Sequence, residues 1–193
     1  MTQQKLDKMK KRVQDHLDKE RYEHTMGVMY TAAAMAMCYQ VDMEKALIAG
    51  LLHDCAKCLS SDKKLRLCEK YGIIISESER RNPGLLHAKL GAYIAKTKYD
   101  VEDQEIVDAI AYHTTGRPSM TLLDKIVYIA DYLEPNRNMA PNLTEVRKLA
   151  FEDIDECLYL ILKDSLAYLK TRNEVIDPMT EQTYYYYKKE LNK

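Results

Sequence analysis

Apolar residues along this chain recur at every third or fourth position in one segment after another, and almost nowhere do they alternate with polar ones. A spacing near 3.6 buries one stripe of a helix, whereas a half-buried strand needs a period of two, so the pattern points to an all-α fold. β-Architectures also need many tight corners, and the chain has only six glycines in 193 residues.

The helices can be placed from their stripes and punctuation. Leu6, Met9, Val13 and Leu17 make the first stripe, and His16 beside it, among lysines and aspartates, reads as a surface residue. A second helix covers about 21–39, is rich in alanine and methionine, and carries His24 near its start. Asp42 suits the N-cap of DMEKALIAGLLHDCAK, with Val41 as a hydrophobic staple, and this reading puts His53, Asp54 and Lys57 on the third helix. Ser61 or Asp62 can cap DKKLRLCEKY, which Gly72 stops, and IIISESERRNP follows as a connector. Pro83 can open PGLLHAKLGAYIAKTKY, with His87 in its first turns. The next helix, near 103–114, ends at His113 before Gly116 and Pro118, and TLLDKIVYIADYLE runs from about 121 to the edge of Pro135 with Asp131 in its last turns. From about 144 to 172 there is one long amphipathic helix or two, then a break at Asp177-Pro178 and the end QTYYYYKKE.

Neither a repeat nor a flexible linker divides the chain, so residues 1–193 are expected to form one domain, with core motifs at about 21–137 and C-terminal helices at about 144–193. A formal net charge of −1 gives no electrostatic case for a nucleic-acid or membrane partner, and no run is long and apolar enough to span a bilayer. Cysteines 38, 55, 58, 68 and 157 are odd in number and follow no export signal, so they read as free thiols of a cytoplasmic protein. Cys55 and Cys58 form a lone CxxC inside a helix, too few ligands for structural zinc. Lys5 to Lys11 alternate with apolar and acidic residues and read as a solvated helix face, and the Tyr184 to Tyr187 run reads as packing on its own domain.

Four of the five histidines, His24, His53, His87 and His113, lie beside apolar residues on or at the ends of different helices. One such histidine alone is more often a hydrogen-bonded core residue than a ligand. Four that turn inward together with Asp54 and Asp131 make a mixed nitrogen and oxygen set suited to one or two divalent transition ions. A carboxylate has two oxygens, so Asp54 can bridge two ions while His53 binds one. Lys57, one turn on, would face whatever the metals hold.

The ordered set His24, His53-Asp54, His87, His113 and Asp131, in the settings RYEHTMGV, LLHDCAK, LLHAKLGAYIA, AYHTTGRPSM and DKIVYIADYLEPNR, resembles the HD-domain hydrolases of the YqeK type, bacterial symmetrical diadenosine tetraphosphate hydrolases. The resemblance implies an all-helical domain around a di-iron centre, with manganese, cobalt, nickel or zinc as alternative ions. It implies His24, His53 and Asp131 on one ion, His87 and His113 on the other, and Asp54 bridging. Lys57, Thr114, Arg117 and Arg137 would approach the phosphates of a dinucleoside polyphosphate or nucleoside diphosphate, with Asp54, Lys57 and Asp131 closest to the chemistry. The chain departs from the family at Cys55, Ala88 and Asn136, none of them a proposed ligand. Two other readings stay open: an HD-type nucleotidase or cyclic-dinucleotide phosphodiesterase, and a catalytically silent nucleotide binder. A homodimer also stays open.

Overall fold

A computed structural model describes residues 2–172 and 175–193, and among these the regular elements are eleven α-helices and one 3-10 turn. The all-α expectation holds. Most helices start at a side chain that accepts from the first free backbone N–H groups. Thr2 caps α1 (Gln3–Gln14), Asp18 caps α2 (Lys19–Cys38) and Asp42 caps α3 (Met43–Leu52). Ser60, one residue ahead of the expected caps, starts α4 (Ser61–Lys70). The expected connector contains a short α5 (Glu77–Arg81), closed by a reciprocal capping box between Ser76 and Glu79. Pro83–Leu85 then forms the 3-10 turn that leads into α6 (Leu86–Lys98).

Asp103 caps α7 (Gln104–Tyr112), and a Thr121–Asp124 capping box starts α8 (Leu122–Leu133). The long C-terminal stretch is two helices, α9 (Leu143–Glu152) and α10 (Ile154–Thr171). Asp153 divides them: its backbone is extended, at φ −148° and ψ 97°, and its carboxylate accepts from the N–H groups of Asp155 and Glu156. The last helix, α11 (Pro178–Glu190), begins with proline after the cap Asp177.

The core lies between α2, α3, α7 and α8, where Met29, Met35, Leu51, Leu52, Ile110, Leu123, Ile126 and Ile129 are fully buried. Helices α2 and α3 approach closely because position 50 is glycine: a Cβ there would lie 2.8 Å from the Met29 Cα. That approach brings the end of α3 against the early turns of α2. A smaller cluster of Ala56, Cys68, Leu86 and Leu90 ties α4 to α6. On the far side α11 packs against α10. Tyr187 is buried and its hydroxyl accepts from the Met120 N–H at 2.8 Å, while Tyr184 stacks on Tyr159, so the tyrosine run contributes to the domain's own packing.

One expectation about the site's backbone is corrected. α3 stops at Leu52, and His53, Asp54 and Lys57 lie on a tight turn beyond it instead of on the helix. The Gly50 carbonyl accepts from the His53 ring at 2.7 Å, and the backbone continues with three-residue bonds, Cys55 N–H to Leu52 and Lys57 N–H to Asp54. Among the described residues, no helix is long and apolar enough to cross a membrane.

Candidate metal centre

His53, His87 and His113 share one local device. Each Nδ1 donates to the carbonyl three residues earlier, to Gly50 at 2.7 Å, Gly84 at 2.6 Å and Ile110 at 2.7 Å. A carbonyl can only accept, so Nδ1 carries the hydrogen and Nε2 of the neutral ring keeps a bare lone pair. His24 differs, because its ring lies between two carboxylates, with Nδ1 3.1 Å from Glu134 and Nε2 3.0 Å from Asp131; with the hydrogen on Nδ1, Nε2 keeps its lone pair. Burial pulls both His53 and His87 down to about 4, so these rings are neutral near pH 7. Burial also acts to lower His24, but Asp131 and Glu134 outweigh it and raise it.

The four rings form a row in the order His24, His53, His113, His87, with neighbouring centroids 5.4, 5.0 and 5.0 Å apart. Asp131 serves one end: its Oδ1 is 3.0 Å from His24 Nε2 and 3.8 Å from His53 Nε2. Asp54 spans the rest, with Oδ2 3.8 Å from His53 Nε2 and Oδ1 3.2 and 3.5 Å from the Nε2 atoms of His87 and His113. Burial would raise both aspartates, yet the imidazoles around them, led by His53 for Asp54 and by His24 for Asp131, hold both below the usual carboxylate range.

This donor set fits a cation. His24 Nε2, His53 Nε2 and Asp54 Oδ1 are buried without a well-aligned hydrogen bond, a costly arrangement unless something else meets them. The Nε2 atoms of His87 and His113 are 3.1 Å apart, two lone pairs that repel unless a positive centre sits near both. Two groups of three have donor atoms within 4.8 Å of one another, His24 with His53 and Asp131, and His53 with Asp54 and His113. Imidazole with carboxylate suits divalent transition ions.

Cations surround these donors. Lys57 Nζ is 3.1 Å from His87 Nε2 and 3.6 Å from Asp54 Oδ1, and the Thr114 hydroxyl is 3.2 and 3.1 Å from the Nε2 atoms of His87 and His113. Arg137 donates to Asp131, through Nη2 to Oδ1 at 2.8 Å and through Nε to the carbonyl at 3.0 Å. Arg21, which the sequence reading passed over, reaches Asp54 Oδ2 at 3.6 Å. All of these except His53 and His87 line a cleft of about 1340 Å³ that extends past Tyr132, Asn136 and Met139 towards Tyr168. Arg117 does not line this cleft. Its guanidinium is held by Asp124 at 2.7 Å and Asp108 at 3.0 Å and lies 4.6 Å from the Tyr112 ring, so it joins the end of α7 to the start of α8. His16 is exposed, as expected, and Cys58 sits at the surface with its thiol 3.6 Å from Asp18.

A helical bundle whose helix ends converge imidazoles and carboxylates on the floor of a cation-rimmed cleft defines a metal-dependent phosphohydrolase. Residues 21–136 match the HD domain family model, and the chain belongs to that family. It is 42% identical to a Bacillus subtilis protein named symmetrical bis(5'-nucleosyl)-tetraphosphatase, over 89% of this chain and 91% of that one. A Staphylococcus aureus protein of the same name is 32% identical over 94% of both chains. The fold matches a crystal structure from Clostridium acetobutylicum, described as a predicted HD superfamily hydrolase involved in NAD metabolism. The TM-score is 0.92, with 38% identity over 95% of this chain and 97% of the other.

Proposed function

We propose that this protein hydrolyses diadenosine tetraphosphate and related dinucleoside polyphosphates symmetrically, releasing two nucleoside diphosphates. The observation that carries the reading is the buried row of four converging imidazoles and two aspartates beside a cleft large enough for an extended dinucleotide. The near-full-length relatives supply the substrate class.

His24, His53 and Asp131 would hold one divalent ion, His87 and His113 a second, and Asp54 would give an oxygen to each. Iron is the first choice, with manganese, cobalt, nickel or zinc as alternatives. When bound, such ions make a water acidic enough to ionise near neutral pH and neutralise phosphoryl oxygens. The chain's own residues do the rest. The Lys57 ammonium, set between His87 and Asp54, is placed to stabilise charge on the leaving diphosphate. Arg137 and Arg21 each already hold a carboxylate oxygen, so they are oriented towards anions and can pass to phosphate as it enters. Thr114 offers a hydroxyl beside the His87 and His113 nitrogens. We take residues 1–193 as one catalytic unit acting in the cytoplasm, where five unpaired cysteines would stay reduced.

The test is turnover of a panel by anaerobically purified protein, before and after chelation and after reloading with ferrous ion. Diadenosine tetraphosphate should be the best substrate and activity should follow metal content. Preference for a cyclic dinucleotide or a nucleoside monophosphate, or turnover indifferent to chelation, would overturn the reading.

A further inference from the structure

Glu134 follows α8 directly and is only 1% exposed, yet its carboxylate forms no lysine or arginine ion pair among the described residues. Its two oxygens face two different parts of the site. Oε1 accepts from His24 Nδ1 at 3.1 Å, and Oε2 accepts from the Asn136 N–H at 2.7 Å. The Glu134 carbonyl in turn accepts from the Arg137 N–H at 2.9 Å. Arg137 reaches back to Asp131 Oδ1 at 2.8 Å, and that same oxygen is 3.0 Å from His24 Nε2. His24, Glu134, the Asn136–Arg137 backbone and Asp131 therefore close a ring. A candidate metal ligand and a candidate phosphate arginine depend on one carboxylate.

Two features outside the ring are shaped to keep Glu134 in place. Three residues after His24, and so on the same face of α2, stands Gly27, where a Cβ would lie 2.2 Å from Glu134 Oε2. On the other side Arg147 of α9 donates to the carbonyls of Leu133, Glu134 and Arg137 at 2.9, 2.9 and 2.8 Å, which pins the turn. His24 is the site histidine whose Nδ1 meets a carboxylate, where the other three meet backbone carbonyls.

We propose that Glu134 is a positioning residue that fixes both the tautomer of His24 and the placement of Arg137, coupling the His24–Asp131 end of the metal centre to the anion-binding wall of the cleft. The inference rests on the metal-dependent reading given above. The chemistry of the amide makes it testable. Glutamine has one acceptor and one NH₂ where glutamate has two acceptors. If its oxygen keeps the Asn136 N–H, its NH₂ faces His24 Nδ1, which must then accept; the ring proton moves to Nε2 and removes the metal-binding lone pair. If its oxygen keeps His24, the NH₂ opposes the Asn136 N–H and the Arg137 turn loosens.

The experiment compares wild type, Glu134→Gln, Gly27→Ala and Arg147→Ala, with manganese binding measured by equilibrium dialysis and KM and kcat measured on diadenosine tetraphosphate. Thermal melting checks that each variant folds. Gly27→Ala adds a better helix former, so it displaces the Glu134 carboxylate from a second direction without a helix-propensity penalty. Glu134→Gln and Gly27→Ala should both weaken one of two manganese sites by about 10- to 100-fold, the usual effect of losing an outer-shell partner, and should raise KM as well. Arg147→Ala, which frees the turn that carries Glu134, should likewise weaken manganese binding and raise KM. Wild-type metal binding in both Glu134→Gln and Gly27→Ala, or weakened metal binding with KM unchanged, would overturn the coupling. A wild-type chain that takes up no ion would instead overturn the metal-dependent reading, and this inference with it.

Discussion

Asp54 is the residue on which the most contacts of the centre converge: three imidazoles, Lys57 and Arg21 all lie within 3.8 Å of its oxygens. Asp54→Ala removes both oxygens at once, so it should abolish turnover and lower bound metal below the wild-type level, as read by elemental analysis of the purified protein. Full metal with normal turnover would exclude a bridging role. Lys57→Ala should leave metal content intact and reduce kcat by roughly 10²- to 10³-fold, the range for losing one preorganised electrostatic contact; loss of metal in that variant would move Lys57 into the support of the ions. Arg117→Ala behaves differently. It strands the buried Asp124 and frees Asp108, and breaking a largely buried pair by removing one partner costs about 3 kcal/mol, or roughly 10 °C in melting temperature for a chain of this size. An Arg117→Ala protein that melts like wild type but binds substrate poorly would support the phosphate role expected from the sequence. The metal-set candidates and Lys57 were legible because histidine and aspartate beside leucine are chemically conspicuous. Arg21 and Glu134 were not, since a charged residue near a helix end looks like any solvated flank until the partner that buries it is known.

At the scale of elements, the helix starts were legible from caps and the helix ends less so. Asp42 and Thr121 begin helices within a residue of where the sequence places them, because an N-cap is a local bond between a side chain and the next few N–H groups, whereas Asp177, read as a break, caps a further helix. Ser76 and Glu79 carried the same signal in a segment read as a connector. The end of α3 had no such local sign. It is set when the His53 ring takes the Gly50 carbonyl, an arrangement stabilised by tertiary burial of that ring. Gly50 therefore matters twice, once for the approach of α2 and once for the turn that carries the centre. Gly50→Ala must push α3 away from the Met29 backbone, at a cost of about 1–3 kcal/mol for overpacking, and should separate His53 from His24. Melting and manganese affinity should fall together. A variant with a lower melting temperature and wild-type affinity would show that the centre tolerates the displaced helix.

For the whole molecule, the fold class was legible from periodicity alone, because helix stripes need no long-range information, whereas the order of the ring row and the closed circuit through Glu134 depend on contacts far apart in the chain. Burial also divides the thiols. Cys38 and Cys58 are exposed, Cys68 and Cys157 are buried, and burial pushes both Cys55 and Cys157 up to about 12, which leaves almost no reactive thiolate at pH 8. A thiol reagent at pH 8 should thus label Cys38 and Cys58 first and reach all five at one fast rate only in denaturant; rapid labelling of Cys157 in the native protein would contradict the packing of α9 on α10. The proposed activity makes its sharpest demand on where the bond breaks. Attacking oxygen, phosphorus and leaving oxygen must be roughly in line, and cations that grip one nucleoside diphosphate unit put its terminal phosphorus over the centre, so the group expelled is a second nucleoside diphosphate. The decisive measurement is chromatography of an early time point of diadenosine tetraphosphate hydrolysis by the ferrous-loaded protein. ADP as the sole nucleotide product is the predicted result, and equimolar ATP and AMP would contradict it.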